Sequence, residues 1–201
     1  MRSFAVVLFM VFFLQALAQE SDLPGDFLSK AFYKERRQKL REKLPINSVA
    51  VFFANPVRNR ANDVDYVYHQ DPDFFYLIGY KEANSLLLVF KDPQVSANGT
   101  SYDEIVFVQP RNAQAEMWTG RRLGDSGVKD KLGLDQAFNN SEFKRYNIDF
   151  SKFASVLFFD FQNDVRNNPR DSSDMYDLIA QFKIKVHYPE KNNQTLVVEP
   201  Q

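Results

Sequence analysis

The sequence predicts a mixed α/β sandwich, a mixed β-sheet flanked by helices. Short all-apolar runs such as Val49–Ala54 have the length of strands buried on both faces, and they alternate with longer stretches of helical period. Twenty phenylalanines and no cysteine place stability on packing, since no disulfide can form. The chain after residue 18 is long enough for one domain with a sizeable core.

Residues 1–18 read as a secretory signal peptide. Arg2 gives a positive start, Phe4–Leu14 is unbroken apolar, and Ala16-Leu17-Ala18 offers small residues at alternate positions, so cleavage is expected after Ala18. Eleven apolar residues are too few to cross a hydrocarbon core, which needs roughly 20 in a helix. With no cysteine after the cleavage point, a lipoprotein anchor is excluded. The expected location is therefore exported, periplasmic or secreted, with no membrane attachment after cleavage.

The domain is expected over 19–190. A helix is predicted from Asp26, as cap, to Leu44, with Phe27, Leu28, Ala31, Phe32, Leu40 and Leu44 on its apolar face and Pro45 as its stop. Lys34, Arg36, Arg37, Lys39, Arg41 and Lys43 then form a solvated basic face. Val49–Ala54 is a strand, followed by a polar stretch, Asn55–Asp65. Ser85–Phe90 and Glu104–Val108 are predicted to pair as an antiparallel hairpin with a long loop, Asp92–Asp103. Val156–Asp160 is a further buried strand. Ser172–Phe182 is an amphipathic helix presenting Met175, Leu178, Ile179 and Phe182, and Ile184–His187 is a last short strand. Residues 191–201 read as a linker toward an absent C-terminal domain.

The net charge of −1, with no long charged block, gives no case for nucleic acid. Asp63, Asp65, Asp71 and Asp73 flank His69, and hard cations take several carboxylate oxygens. The stretch lacks the glycine and closing glutamate of a calcium loop, and His187, the only other histidine, is remote. A hydrogen-bonded loop packed by aromatics is the expected state, with no metal site. No nucleophile elbow and no phosphate loop occur, and Gly120–Gly127 reads as a turn into a helix. No catalytic residue is assigned. Three Asn-x-Ser/Thr sequons start at Asn98, Asn139 and Asn193. Trp118, the single tryptophan, fits a core position or a projecting aromatic equally well.

Several ordered motifs carry a family resemblance. Asn62-Asp63, then Tyr68-x-Gln70-Asp71-x-Asp73-Phe74-x-Tyr76-Leu77-x-Gly79-Tyr80, then Pro110-Arg111-Asn112, Glu116-x-Trp118-x-Gly120, Arg122-Leu123-Gly124 and Leu132-Gly133-Leu134-Asp135 resemble the N-terminal domain of aminopeptidase P, the Xaa-Pro aminopeptidases. The match runs over about residues 27 to 190. His69 departs from it, since the family often has arginine there. The resemblance implies a creatinase/aminopeptidase P N-terminal-like fold, followed by a pita-bread catalytic domain. In that second domain a dinuclear manganese site is held by two Asp, one His and two Glu, none of which transfers to this chain. It implies as partners the chain's own C-terminal domain, neighbouring subunits of a homo-oligomer, and proline-containing peptides. It also implies that Trp118 reaches a neighbour's substrate pocket, while Arg111, Glu116 and Arg122 fix local structure. The function expected is that of a non-catalytic domain of an exported Xaa-Pro aminopeptidase, shaping the substrate entrance and oligomer contacts. A stand-alone binding or assembly module is the alternative.

Overall fold

The computed structural model describes residues 28–96, 98–168 and 171–189. Helix α1, Lys30–Lys43, is capped by Ser29, whose hydroxyl accepts the Phe32 N–H at 3.2 Å. Asp26 and Phe27, expected at its start, lie outside the described residues, as do the signal segment and linker. The helix leads into β1, Ser48–Phe53, and then a small hairpin, β2 (Asn59–Ala61) and β3 (Val64–Asp65). Asn62 adopts a left-handed backbone in its two-residue turn.

Helix α2, Pro72–Ile78, precedes the long hairpin of β4, Leu86–Val95, and β5, Ser101–Val108. These strands run beyond the predicted limits, which leaves a short tip in place of a long loop. Helix α3, Ala113–Thr119, follows, and then α4, Gly124–Gly127, which continues as a π-helical turn to Leu132. Strand β6 is Gln136–Asn139, β7 is Ser155–Phe158 and α5 is Met175–Lys185. The strand expected at Ile184–His187 is instead the end of α5 and the turn after it. Val186 continues the helical stripe of Leu178 and Phe182 while Ile184 is exposed, and tertiary packing decides a run that short.

One sheet has the order β6-β5-β4-β1-β7. The central pairs, β1 with β4 and β4 with β5, are antiparallel, while the outer pairs, β5 with β6 and β1 with β7, are parallel. Alternate residues go to opposite faces. Ala50, Leu87, Val89, Val106 and Val108 meet α1, α2 and the α4 turn, whereas Val49, Val51, Leu86, Leu88 and Phe107 meet α5 and the aromatic turns at Phe143 and Phe150. Both faces are covered, which explains the unbroken apolar runs. Strand β7, predicted as fully buried, is a half-buried edge.

The basic face of α1 requires correction. Its buried line is Tyr33, Arg37 and Leu44, with Leu40 partly buried beside them, while Ala31 is exposed and Leu28 is 52% exposed. Arg37 is 1% exposed and belongs to the interior. Its Nε donates to Glu104 Oε2 at 2.5 Å, and its two terminal nitrogens donate to the carbonyls of Leu77, at 3.0 Å, and Gly133, at 3.1 Å. One guanidinium fork thus ties α1 to β5, to the end of α2 and to the turn after Leu132. A planar, permanently charged fork with several acceptors tolerates this burial. Arg41 also leaves the solvated set, pairing with Asp103 at 2.5 Å.

Candidate functional site

The C-terminal ends of β1 and β5 and the start of β4 open on one edge of the sheet, where the connections after them enclose a groove of about 1130 Å³. Arg58, Tyr68, Glu82, Trp118, Arg122 and Asp164 are among the residues that line it.

Tyr68 and residues 81–84 line the groove, and residues 69–80 connect them. Gln70 is the hub of that connection. The side-chain oxygen accepts the backbone N–H groups of Asn55, at 3.1 Å, and Asp71, at 2.8 Å, together with the Tyr68 hydroxyl at 2.9 Å. Its amide nitrogen donates to the carbonyls of Tyr80 and Glu82, at 3.1 and 2.9 Å. Asp71 caps α2 through the Phe74 N–H at 2.9 Å, with Pro72 at the first helical position. Gly79 ends α2 in a left-handed conformation, and a Cβ there would lie 2.3 Å from Tyr33 Cζ, so glycine is required twice over. Burial is the largest influence on the Asp71 carboxyl and pushes it above the usual range.

Among the four carboxylates near His69, Asp71 is the cap and Asp65 accepts a hydrogen bond from Asn59. Asp63 and Asp73 are exposed, and so is His69. No group of three His, Cys, Asp or Glu among the described residues is placed to hold a metal. The dinuclear site implied by the family therefore does not fit the described residues.

The wall containing Trp118 is built differently. Asn112 caps α3 by accepting the N–H groups of Gln114, at 3.1 Å, and Ala115, at 3.0 Å. Glu116 receives both ends of the Arg111 fork, at 2.7 and 2.9 Å, and the Asn112 N–H at 2.9 Å. The Arg111 bond is the main cause holding the Glu116 carboxyl below its usual range. Arg111 crosses Gly124 so closely that a Cβ would sit 2.8 Å from its Cγ. The local structural role expected of Arg111 and Glu116 is what these bonds provide.

No residue of α3 is buried. Trp118 is 87% exposed and Met117 is 75% exposed, which decides between the core and projecting readings of the tryptophan. The β2–β3 hairpin and the segment after it expose Val64, Tyr66 and Val67, of which Tyr66 lines the groove together with Trp118. Two residues the sequence did not flag join the halves. Glu82 accepts the Leu123 N–H at 2.8 Å and the Tyr80 hydroxyl at 2.7 Å, and burial raises its carboxyl above the usual range. Arg58 bonds Asp164 and Gln162, both at 2.6 Å, from residues more than 100 positions away. Nothing in the local pattern marks either residue, because their partners are distant in sequence.

A five-stranded mixed sheet covered on both faces, with a groove beyond the C-terminal ends of β1 and β5, places the chain among α/β sandwich domains. Residues 33–157 match the family model described as aminopeptidase P, N-terminal domain, and the chain belongs to that family. It is 36% identical over 115 residues to the Xaa-Pro aminopeptidase of Escherichia coli K12, a match covering 57% of this chain and 25% of that protein. Human Xaa-Pro aminopeptidase 3 is 30% identical over 146 residues, covering 69% and 28% respectively. In structure, the chain is similar to E. coli aminopeptidase P with the inhibitor Pro-Leu, with a TM-score of 0.60 and 28% identity over 78% of this chain and 33% of that one. The matches thus span about a quarter of the length of these curated relatives.

Proposed function

We propose that the chain is the non-catalytic N-terminal domain of an exported Xaa-Pro aminopeptidase, and that its groove edge serves the entrance for proline-containing peptides. The observation that carries this reading is Trp118: a nearly fully exposed aromatic on a short helix anchored by a cap and a bidentate ion pair. An ordered aromatic held in water gains its burial energy only when a second surface covers it. The exposed Tyr66, which lines the same groove, would widen that contact. The covering surface in this reading is the C-terminal catalytic domain of a neighbouring subunit in a homo-oligomer, and Trp118 contributes to the pocket there. In this reading the manganese chemistry of the family would belong to that domain.

Two measurements test the proposal. The purified chain supplied with manganese and an Xaa-Pro peptide is expected to show no hydrolysis, and turnover proportional to this chain would overturn its non-catalytic role. The intact enzyme carrying Trp118→Ala is expected to lose affinity for proline peptides several-fold, seen as a raised KM. An unchanged KM would remove Trp118 from the pocket. Secretion directed by residues 1–18 fused to a reporter tests export separately.

A further inference from the structure

The sequons occupy different environments. Asn98-Gly99-Thr100 forms the tip of the β4–β5 hairpin, where the Ser96 N–H donates to the Thr100 carbonyl and the Gly99 N–H to the Ser96 carbonyl, each at 2.9 Å. The Asn98 amide oxygen accepts the Thr100 N–H at 3.1 Å and the Ser96 hydroxyl at 2.5 Å, an Asx turn that orients the carboxamide. Asn98, Gly99 and Thr100 are all exposed, and a Cβ on Gly99 would meet nothing within 4 Å. Asn139, by contrast, pairs with Val108 in the sheet, and its side-chain oxygen is buried. Its N–H is held by Glu142 at 2.9 Å, and its neighbour Asn140 is buried against the Asn84 and Ser173 carbonyls. Asn193 lies outside the described residues.

We infer that Asn98 is an N-glycosylation acceptor, and that Asn139 is not, when the chain enters a glycosylating secretory pathway. The inference rests on the export reading. The donor is an oligosaccharide linked through pyrophosphate to a lipid, brought by the host transferase. Asn98 Nδ2 forms a bond to the sugar C1 as the C1–O bond to pyrophosphate breaks. The lipid pyrophosphate leaves, the amide proton passes to a base of the transferase, and nothing is oxidised or reduced. The bonds that close the turn join Ser96, Asn98, Gly99 and Thr100, all near in sequence, so the acceptor geometry rests on local contacts. A glycan on Asn139 would have to displace packed neighbours before β6 could join the sheet. The Asn98 tip stands at the end of β4 opposite the groove, roughly 30 Å away at about 3.4 Å per residue of strand. The bulky, solvated sugar would leave the face bearing Trp118 uncovered.

The full chain is expressed in glycosylating cells twice, with its own N-terminus and behind an established secretory leader. Secreted protein is treated with peptide N-glycosidase in heavy-oxygen water and mapped by mass spectrometry. The expected result is an isotope-labelled aspartate at position 98, an unlabelled Asn139 and, in a chain that also carries Asn193→Gln, a mobility decrease that Thr100→Ala and Asn98→Gln each remove and Ser141→Ala retains. An unmodified Asn98 in protein secreted behind the established leader overturns the inference, as does a label at position 139. Glycosylation with that leader alone supports the acceptor assignment and overturns the export reading.

Discussion

Residues 68–80 and residues 110–124 make opposite use of similar side chains. The first stretch turns Phe74, Leu77, Ile78 and Tyr80 inward and spends its polar groups holding backbone, as the five bonds of Gln70 show. The second stretch has equally definite capping and ion-pair bonds, yet these hold a helix whose largest side chains face water. Order without burial has to be supplied by hydrogen bonds and charge, which contribute modestly at a surface. What the pair teaches is that a strong motif can mark either a structural joint or a presented surface. Burial of its aromatic residue tells which.

The largest effect is expected where the buried region depends on charge. Arg37→Ala would strand Glu104 and leave the Leu77 and Gly133 carbonyls unpaired, at a cost of about 3–5 kcal/mol in urea unfolding. Replacing both partners, Arg37→Met with Glu104→Leu, is expected to recover a substantial part of that. Equal losses in the single and double variants would mean the pair is not the joint described. Next comes Gly79→Ala. The left-handed backbone costs about 1–2 kcal/mol before the Tyr33 contact is counted, and Tyr33→Leu in the same chain should relieve only the contact.

Smaller effects belong to the exposed region. Asn112→Ala should cost about 1 kcal/mol, confined to α3 and visible as faster cleavage there by a protease with little change in the global midpoint. Trp118→Ala should change stability by less than about 0.5 kcal/mol, because its ring is already in water. A larger loss would return the tryptophan to a structural role.

Acid should separate a buried carboxyl from a surface one by sign. Burial raises the folded pKa of Glu104, so its contribution is present at low pH and lost as pH rises through that folded value. Arg111 lowers the folded pKa of Glu116, so its contribution is present above the ordinary carboxylate range and lost as pH falls through the folded value. Unfolding of Glu104→Gln and Glu116→Gln from about pH 3 to pH 8 should remove slopes of opposite sign.

Much of this was legible in local pattern. Val49–Ala54 had to be a buried strand, since six consecutive apolar residues satisfy both faces of a covered sheet. Pro72 and Gly79 bracket α2 as a first-turn proline and a left-handed stop, although seven residues were too few to announce a helix by period. The local pattern of α1 places Leu40 and Leu44 on the core side but groups Arg37 with the solvated cations. The burial of Arg37 depends on acceptors at positions 77, 104 and 133, which no local window contains.

By itself, the sequence determined the fold class, strands β1, β4, β5 and β7, helices α1 and α5, and the motif order that marks the family, because period, capping and turn chemistry act over a few residues. The fate of particular side chains was decided only in tertiary structure. Arg37 is interior, Trp118 is presented, and Arg58 meets Asp164 across the groove. Burial and ion pairing are properties of surfaces that come together from distant parts of the chain, so only the folded chain decides which arginine is core and which aromatic remains in water.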